Sequence, residues 1–134
     1  MGANLEQSMH KSKLGGFIID CRTDDLEAAA SFWSGALGMP IHELTGSENE
    51  GYRGLTDAHY GLDIEVQQVD HPSRVHLDIE TDDIAAEVRR LAALGATMIR
   101  AVHGWCVMEA PTGQRFCVVK ARKGALETQA KLWQ

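Results

Sequence analysis

The sequence predicts an α+β fold: two βαβββ modules forming a curved mixed sheet around a cleft. Three observations carry this prediction. A strand–helix–strands order occurs twice, over residues 14–69 and 74–121, and self-similarity of this kind marks a duplicated architecture. Both helices close on Leu-Gly, at Leu37-Gly38 and Leu94-Gly95, where a glycine ends a helix in the left-handed conformation. Both open after matching acidic pairs, Asp24-Asp25-Leu26 and Asp82-Asp83-Ile84.

Residues 1–13 are polar and read as a tail. Gly16 to Arg22 is a short apolar strand. Thr23 or Asp24 then caps a helix, with Glu27 in its first turn. Leu26, Ala29, Ala30, Trp33 and Leu37 recur at helical spacing, and Trp33 and Phe32 read as helix core. Met39–Leu44, Tyr52–Thr56 and Leu62–Val69 read as strands, with a turn over 45–51. Asp70 to Ser73 links the modules. Arg74–Glu80 is the next strand, and Thr81 caps the second helix. Ile84, Val88, Leu91, Ala92 and Leu94 form its apolar side. Thr97–Val102, Gly104–Glu109 and Arg115–Ala121 complete the second module, with a turn over 110–113. Residues 122–134 form a tail or short amphipathic helix bearing Leu126, Ala130 and Trp133.

Composition narrows the function classes. The 134 residues suffice for one domain with a core of its own. Thirteen basic against 19 acidic residues, a net charge of −6, argue against a nucleic-acid partner. No apolar run reaches the roughly 20 residues of a membrane span, and the polar start lacks the apolar segment of a secretory signal. Three cysteines without metal-type spacing read as reduced thiols of a cytoplasmic protein.

The repeat serves as a ruler. Ile18 and His76 are separated by the same interval as Leu26 and Ile84. Glu65 follows Gly61 at the same interval as Cys117 follows Gly113. Alternation along a strand then divides the faces. Phe17, Ile19 and Cys21 oppose Ile18, Asp20 and Arg22. Leu62, Ile64 and Val66 oppose Asp63, Glu65 and Gln67. Val75, Leu77 and Ile79 oppose His76, Asp78 and Glu80. In the last strand Phe116 and Val118 oppose Arg115, Cys117 and Val119. The apolar sets belong under the helices. The polar sets face either a cavity or solvent. Trp105, Met108, Tyr52 and Tyr60 can line such a cavity. Trp105, just after Gly104, can stack on a flat ligand.

The paired modules, with DLEAAASFWSGALGM, RVHLDIETDDIAAEVRRLAALGA and WCVMEAPTGQRFCVV, resemble the vicinal oxygen chelate superfamily over about Leu14 to Ala121. That superfamily includes glyoxalase I, bleomycin resistance proteins and extradiol dioxygenases. The closest likeness is to its glyoxalase-like branch. The resemblance implies the glyoxalase/bleomycin resistance/dioxygenase fold and a homodimer binding a small molecule. Metal-using members take two ligands per module from the first and last strands. Those positions here are Ile18, Glu65, His76 and Cys117. Ile18 has no donor atom, and Cys117 stands where a glutamate is usual. A divalent ion (zinc, nickel, manganese or iron) on Glu65 and His76 alone would be weakly held. Arg22 stands where glyoxalase I has an arginine for the substrate's carboxylate. An ion pair with Asp20, Asp78 or Glu80 is the alternative.

Two functions remain open. One is lyase or isomerase chemistry of glyoxalase type, with His76 and Glu65 moving a proton next to a carbonyl. Arg22, Asp20, Gln67, Asp78 and Trp105 would then contact the substrate. The other is a metal-free protein that sequesters its ligand as bleomycin resistance proteins do. In that case His76 would be a core histidine bonded to Glu65 or Asp78.

Overall fold

The computed structural model describes residues 9–55 and 61–134. Most of the expected polar tail, Thr56 at the end of an expected strand, His59 and Tyr60 lie outside the described residues. Eight strands and two α-helices are present: β1 (His10–Arg22), α1 (Leu26–Leu37), β2 (Tyr52–Gly54), β3 (Asp63–Val69), β4 (Arg74–Thr81), α2 (Ile84–Ala93), β5 (Thr97–Val102), β6 (Trp105–Glu109), β7 (Arg115–Lys120) and β8 (Lys131–Trp133). The strands form one mixed, unclosed sheet in the order β2-β3-β1-β4-β7-β6-β5, with β8 paired to β1. β1–β3 and β4–β7 run parallel, while β2–β3, β5–β6 and β6–β7 run antiparallel. No helix among the described residues is long and apolar enough to cross a membrane.

The helix starts repeat a local device one step further along than the sequence suggests. Asp25 caps α1 by accepting from the Ala28 amide at 3.0 Å, and Asp83 caps α2 by accepting from Ala86 at 3.0 Å. Thr23 and Thr81, expected as caps, instead accept the amides of Asp25 and Asp83. Each Thr-Asp-Asp thus folds its hydroxyl back on the chain and leaves the second aspartate to satisfy the helix amides. Gly38 ends α1 with φ at 69°, a conformation natural only to glycine.

The chain divides into two compact units, Gly16–His76 and Met1–Gly15 with Leu77–Gln134. In the first, Leu26, Met39, Leu55 and Val66 form the core, joined by Cys21, Ala29, Trp33 and Ile64. Leu55 and Val66 are fully buried, a state worth roughly 1.5–3 kcal/mol for each side chain. In the second unit Leu91, Cys106, Met108 and Val118 form the core, with Ile79, Ile84, Val88 and Phe116 against it. Of the sets assigned to the helix side by alternation, Cys21, Ile64, Val66, Ile79, Phe116 and Val118 pack there, whereas Val75 and Leu77, at the start of β4, are 58% and 43% exposed.

Other expectations are corrected. Met39–Leu44 is no strand; its only ladder contact among the described residues is the bridge His42↔Gly54. The strand expected at Tyr52 ends at Gly54. Phe32, 64% exposed, is not helix core; it meets Trp33 edge to face and otherwise leaves the core to it. Leu37, Ala92 and Leu94 are exposed where helical spacing placed them inside; each sits in the final turn or cap of its helix.

The termini differ most. β1 begins at His10, and Lys131–Trp133 pairs antiparallel with His10–Ser12, so this part of the C-terminal segment is a strand rather than a helix. The pairing encloses a charged group that no sequence pattern announces. Glu87 of α2 is fully buried. It meets the His10 ring at 2.8 Å and accepts from the Arg90 guanidinium at 2.8 and 2.7 Å. The Arg90 guanidinium carbon lies 3.9 Å from the centre of the Trp133 ring, and the Trp133 indole donates to Ser12 Oγ at 2.8 Å. Burial alone would push the Glu87 carboxyl up. Hydrogen bonds from Arg90, His10 and Ser12, with the charge of Arg90, outweigh it and hold the carboxyl below its usual range.

Glu87→Ala removes the acceptor of a buried charged set, and urea unfolding should show a loss of about 3–5 kcal/mol. The sign with pH follows from the lowered carboxyl. Its contribution is complete above the unfolded value near about 4.3 and vanishes as pH falls through the lower folded value. Glu87→Gln should therefore flatten the fall in stability below about pH 4, measured by denaturant titration across pH.

Candidate functional site

The face of the strands turned away from the helices collects the polar residues. In the Gly16–His76 unit, the parallel ladder sets Ile18 across from Glu65 and Asp20 across from Gln67. Their neighbours Cys21, Ile64 and Val66 pack with α1, so alternation turns Ile18, Asp20, Glu65 and Gln67 the other way. Glu65 and Gln67 are half-buried, while Ile18 and Asp20 are 3% and 2% exposed. Arg22 is exposed, and its amide donates to Ser73 Oγ at 2.9 Å.

His76, on β4, is joined to Asp20. Its Nδ1 lies 2.7 Å from Asp20 Oδ2, with the imidazole 12% exposed. Arg74 Nε stands 3.8 Å from the same oxygen. The other oxygen, Oδ1, is buried without a hydrogen-bond partner among the described residues. The pair of His76 with Asp20 joins positions far apart in the chain, which strand alternation alone does not choose.

In the other unit, β4 continues through Asp78, whose register partner on β7 is Cys117. Cys117 in turn faces Val107 on β6, and Trp105 faces Val119. Cys106, Met108 and Val118 fill the core under α2, which leaves Trp105, Val107, Cys117 and Asp78 on the helix-free face. Burial pushes the Cys106 thiol up, and nearby Cys117 adds to this. Burial likewise raises the Cys21 thiol, so neither is a ready nucleophile.

The two ladders differ in register. Glu65 is matched by Ile18, the counterpart of His76. Cys117 is matched by Asp78, two residues beyond His76. A slip of two residues keeps every side chain on its face, but it places a carboxylate rather than an imidazole beside Cys117. His76 and Asp78 are alternate residues of one continuous strand, and Cys117 is the neighbour of Asp78 on the next.

Of the four positions that the superfamily resemblance marks for metal ligands, Ile18 has no donor atom.

The family model described as "Glyoxalase-like domain" matches residues 16–119. The chain belongs to the glyoxalase-like domain family. The superfamily likeness drawn from the paired modules holds. Among solved structures, this glyoxalase-like chain is similar to a hypothetical protein from Bacillus halodurans C-125, at TM-score 0.61 and 15% identity over 83% of this chain and 95% of that one. Methylmalonyl-CoA epimerase from Mycobacterium tuberculosis matches at TM-score 0.54 and 19% identity, over 82% and 89% of the two chains. A glyoxalase/bleomycin resistance/dioxygenase superfamily member from Vibrio splendidus 12B01 matches at TM-score 0.51 and 19% identity, over 79% and 97%. At these identities the structures share the fold. Among curated proteins the glyoxalase-like chain has no match.

The helix-free placement of Trp105 has a direct check. Trp105 and Trp33 are both half-buried, but only Trp33 packs with a helix core. Acrylamide quenching of single-tryptophan variants should therefore respond to an added small ligand at Trp105 and not at Trp33.

Proposed function

We propose that this protein binds a small carbonyl compound and moves a proton at the carbon beside the carbonyl, with His76 and Glu65 as the acid–base pair. The observation that carries this reading is the His76 imidazole. It is polar, nearly enclosed, and held at one nitrogen by a buried carboxylate 2.7 Å away. A ring fixed in this way suits proton transfer near neutral pH. Glu65 is half-buried on the helix-free face of its own strand and supplies a second proton-bearing group. Arg22, Gln67, Asp78 and Trp105 are the proposed substrate contacts. The similarity to an epimerase of an acyl-CoA, a carbon-acid substrate, agrees with this chemistry.

A divalent ion, where present, would be ligated by His76 and Glu65 and would polarise the substrate's carbonyl oxygen. The protein is proposed to act as a homodimer in the cytoplasm. Three free cysteines favour a reducing compartment.

A second reading has its own support. Ile18, 3% exposed, takes the place of a metal ligand, which favours a metal-free cleft that sequesters a ligand. An acidic face with Trp105 suits a flat cation.

The deciding experiment incubates the protein in D2O with small thioesters, 2-oxo acids and hemithioacetals and follows carbon-bound deuterium by NMR. Exchange should appear, and His76→Ala should slow it about 100-fold or more. Absence of exchange across the panel, with and without added zinc, refutes the acid–base reading. Saturable calorimetric binding of planar cations would then support sequestration. Elemental analysis of protein purified without chelator should find any bound divalent metal at a stoichiometry that Glu65→Ala lowers. An unchanged metal content in that variant would remove Glu65 from the metal site. Sedimentation at micromolar concentration should give a dimer.

A further inference from the structure

We propose that Asp20 is a positioning residue for His76: it fixes the ring as the Nδ1–H tautomer and makes Nε2 the nitrogen that carries out the proton transfer. This rests on the acid–base reading of His76 above. Asp20 is 2% exposed, so a ligand on the strand surface has almost no area of it to touch. Its Oδ2 meets His76 Nδ1 at 2.7 Å, the length of a charge-assisted hydrogen bond. A carboxylate can only accept, so the proton between them is borne by Nδ1. Nε2 is then left with the ring's lone pair, which is what a base or a metal ligand requires.

The burial of Asp20 is hard to explain as stabilisation. Enclosing a carboxylate costs several kcal/mol, and buried ion pairs commonly return no more than apolar residues of the same size. Here Oδ1 is buried without a hydrogen-bond partner among the described residues, and Arg74 lies 3.8 Å from Oδ2 and is itself 45% exposed. The shorter of these two contacts of the carboxylate is with the imidazole, at 2.7 Å against 3.8 Å. The local fold places it there. β1 carries Asp20 on the same face as Ile18, and its ladder with β3 puts Gln67 beside it. The ladder continues through the residues before and after Asp20, with Ile19 set against Val66 and Cys21 against Gln68, so the acceptor is fixed before any ligand arrives.

The test reads the ring nitrogens directly. Protein with 15N-labelled histidine is examined by long-range 1H–15N correlation at alkaline pH, where imidazole is neutral, and the His76→Ala spectrum identifies the His76 signals among the six histidines. In the wild type, Nδ1 should carry the proton and Nε2 should not. Asp20→Ala should release the ring to a mixture of tautomers, and Asp20→Asn, whose carbonyl can still accept, should restore the Nδ1–H form. In the deuterium-exchange assay Asp20→Ala should lower kcat about 100-fold with little change in KM. A wild-type ring protonated at Nε2 overturns the proposal, even if Asp20→Ala does not fold. A tautomer unchanged in Asp20→Ala overturns it as well. The spectra need no substrate. Loss of the proton-transfer reading would therefore leave the tautomer result standing, and failure of the tautomer result would leave His76-dependent exchange intact.

Discussion

A helix can cover only one face of the strands beside it, and the rest of this structure follows from that constraint. α1 claims Cys21, Ile64 and Val66, and α2 claims Ile79, Phe116 and Val118. Because side chains alternate along a strand, covering one set commits the other set to the opposite face. Asp20, Gln67, His76, Asp78 and Cys117 are therefore placed by the packing of residues on the opposite face. Function can change on that face at small cost to the fold, as long as the apolar set beneath the helices persists.

The same logic explains why the duplicated modules need not duplicate a site. The helix starts are nearly identical, with Thr23 and Thr81 braced against the capping aspartates in the same way. The ladders are not. Ile18 stands beside Glu65, while Asp78 stands beside Cys117. A two-residue difference in register leaves the cores unaffected and rearranges the chemistry. One module keeps an apolar residue beside its carboxylate. The other sets a carboxylate beside a thiol.

The buried charge on α2 shows the limit of pattern reading most clearly. Glu87 has the spacing of a helix position next to the core, but its residue type reads as surface. It is inside because the strand pairing of His10–Ser12 with Lys131–Trp133 brings His10, Ser12 and Trp133 to the Glu87–Arg90 pair. Nothing local to either terminus indicates this. Residues 10–12 are polar and 131–133 are too short to show a period, so the sequence reads both as tail.

The sequence by itself determined the repeat, the two helices with their glycine stops, and which strand face is apolar. These are local properties, since alternation has a period of two and a capping motif spans four residues. Only the tertiary structure decided the register of the ladders, the partner of His76 and the strand at the C-terminus. Each of these depends on contacts between residues distant in the chain, such as Asp20 with His76 or Asp78 with Cys117. Several partners on one face satisfy the same alternation, and close packing selects among them.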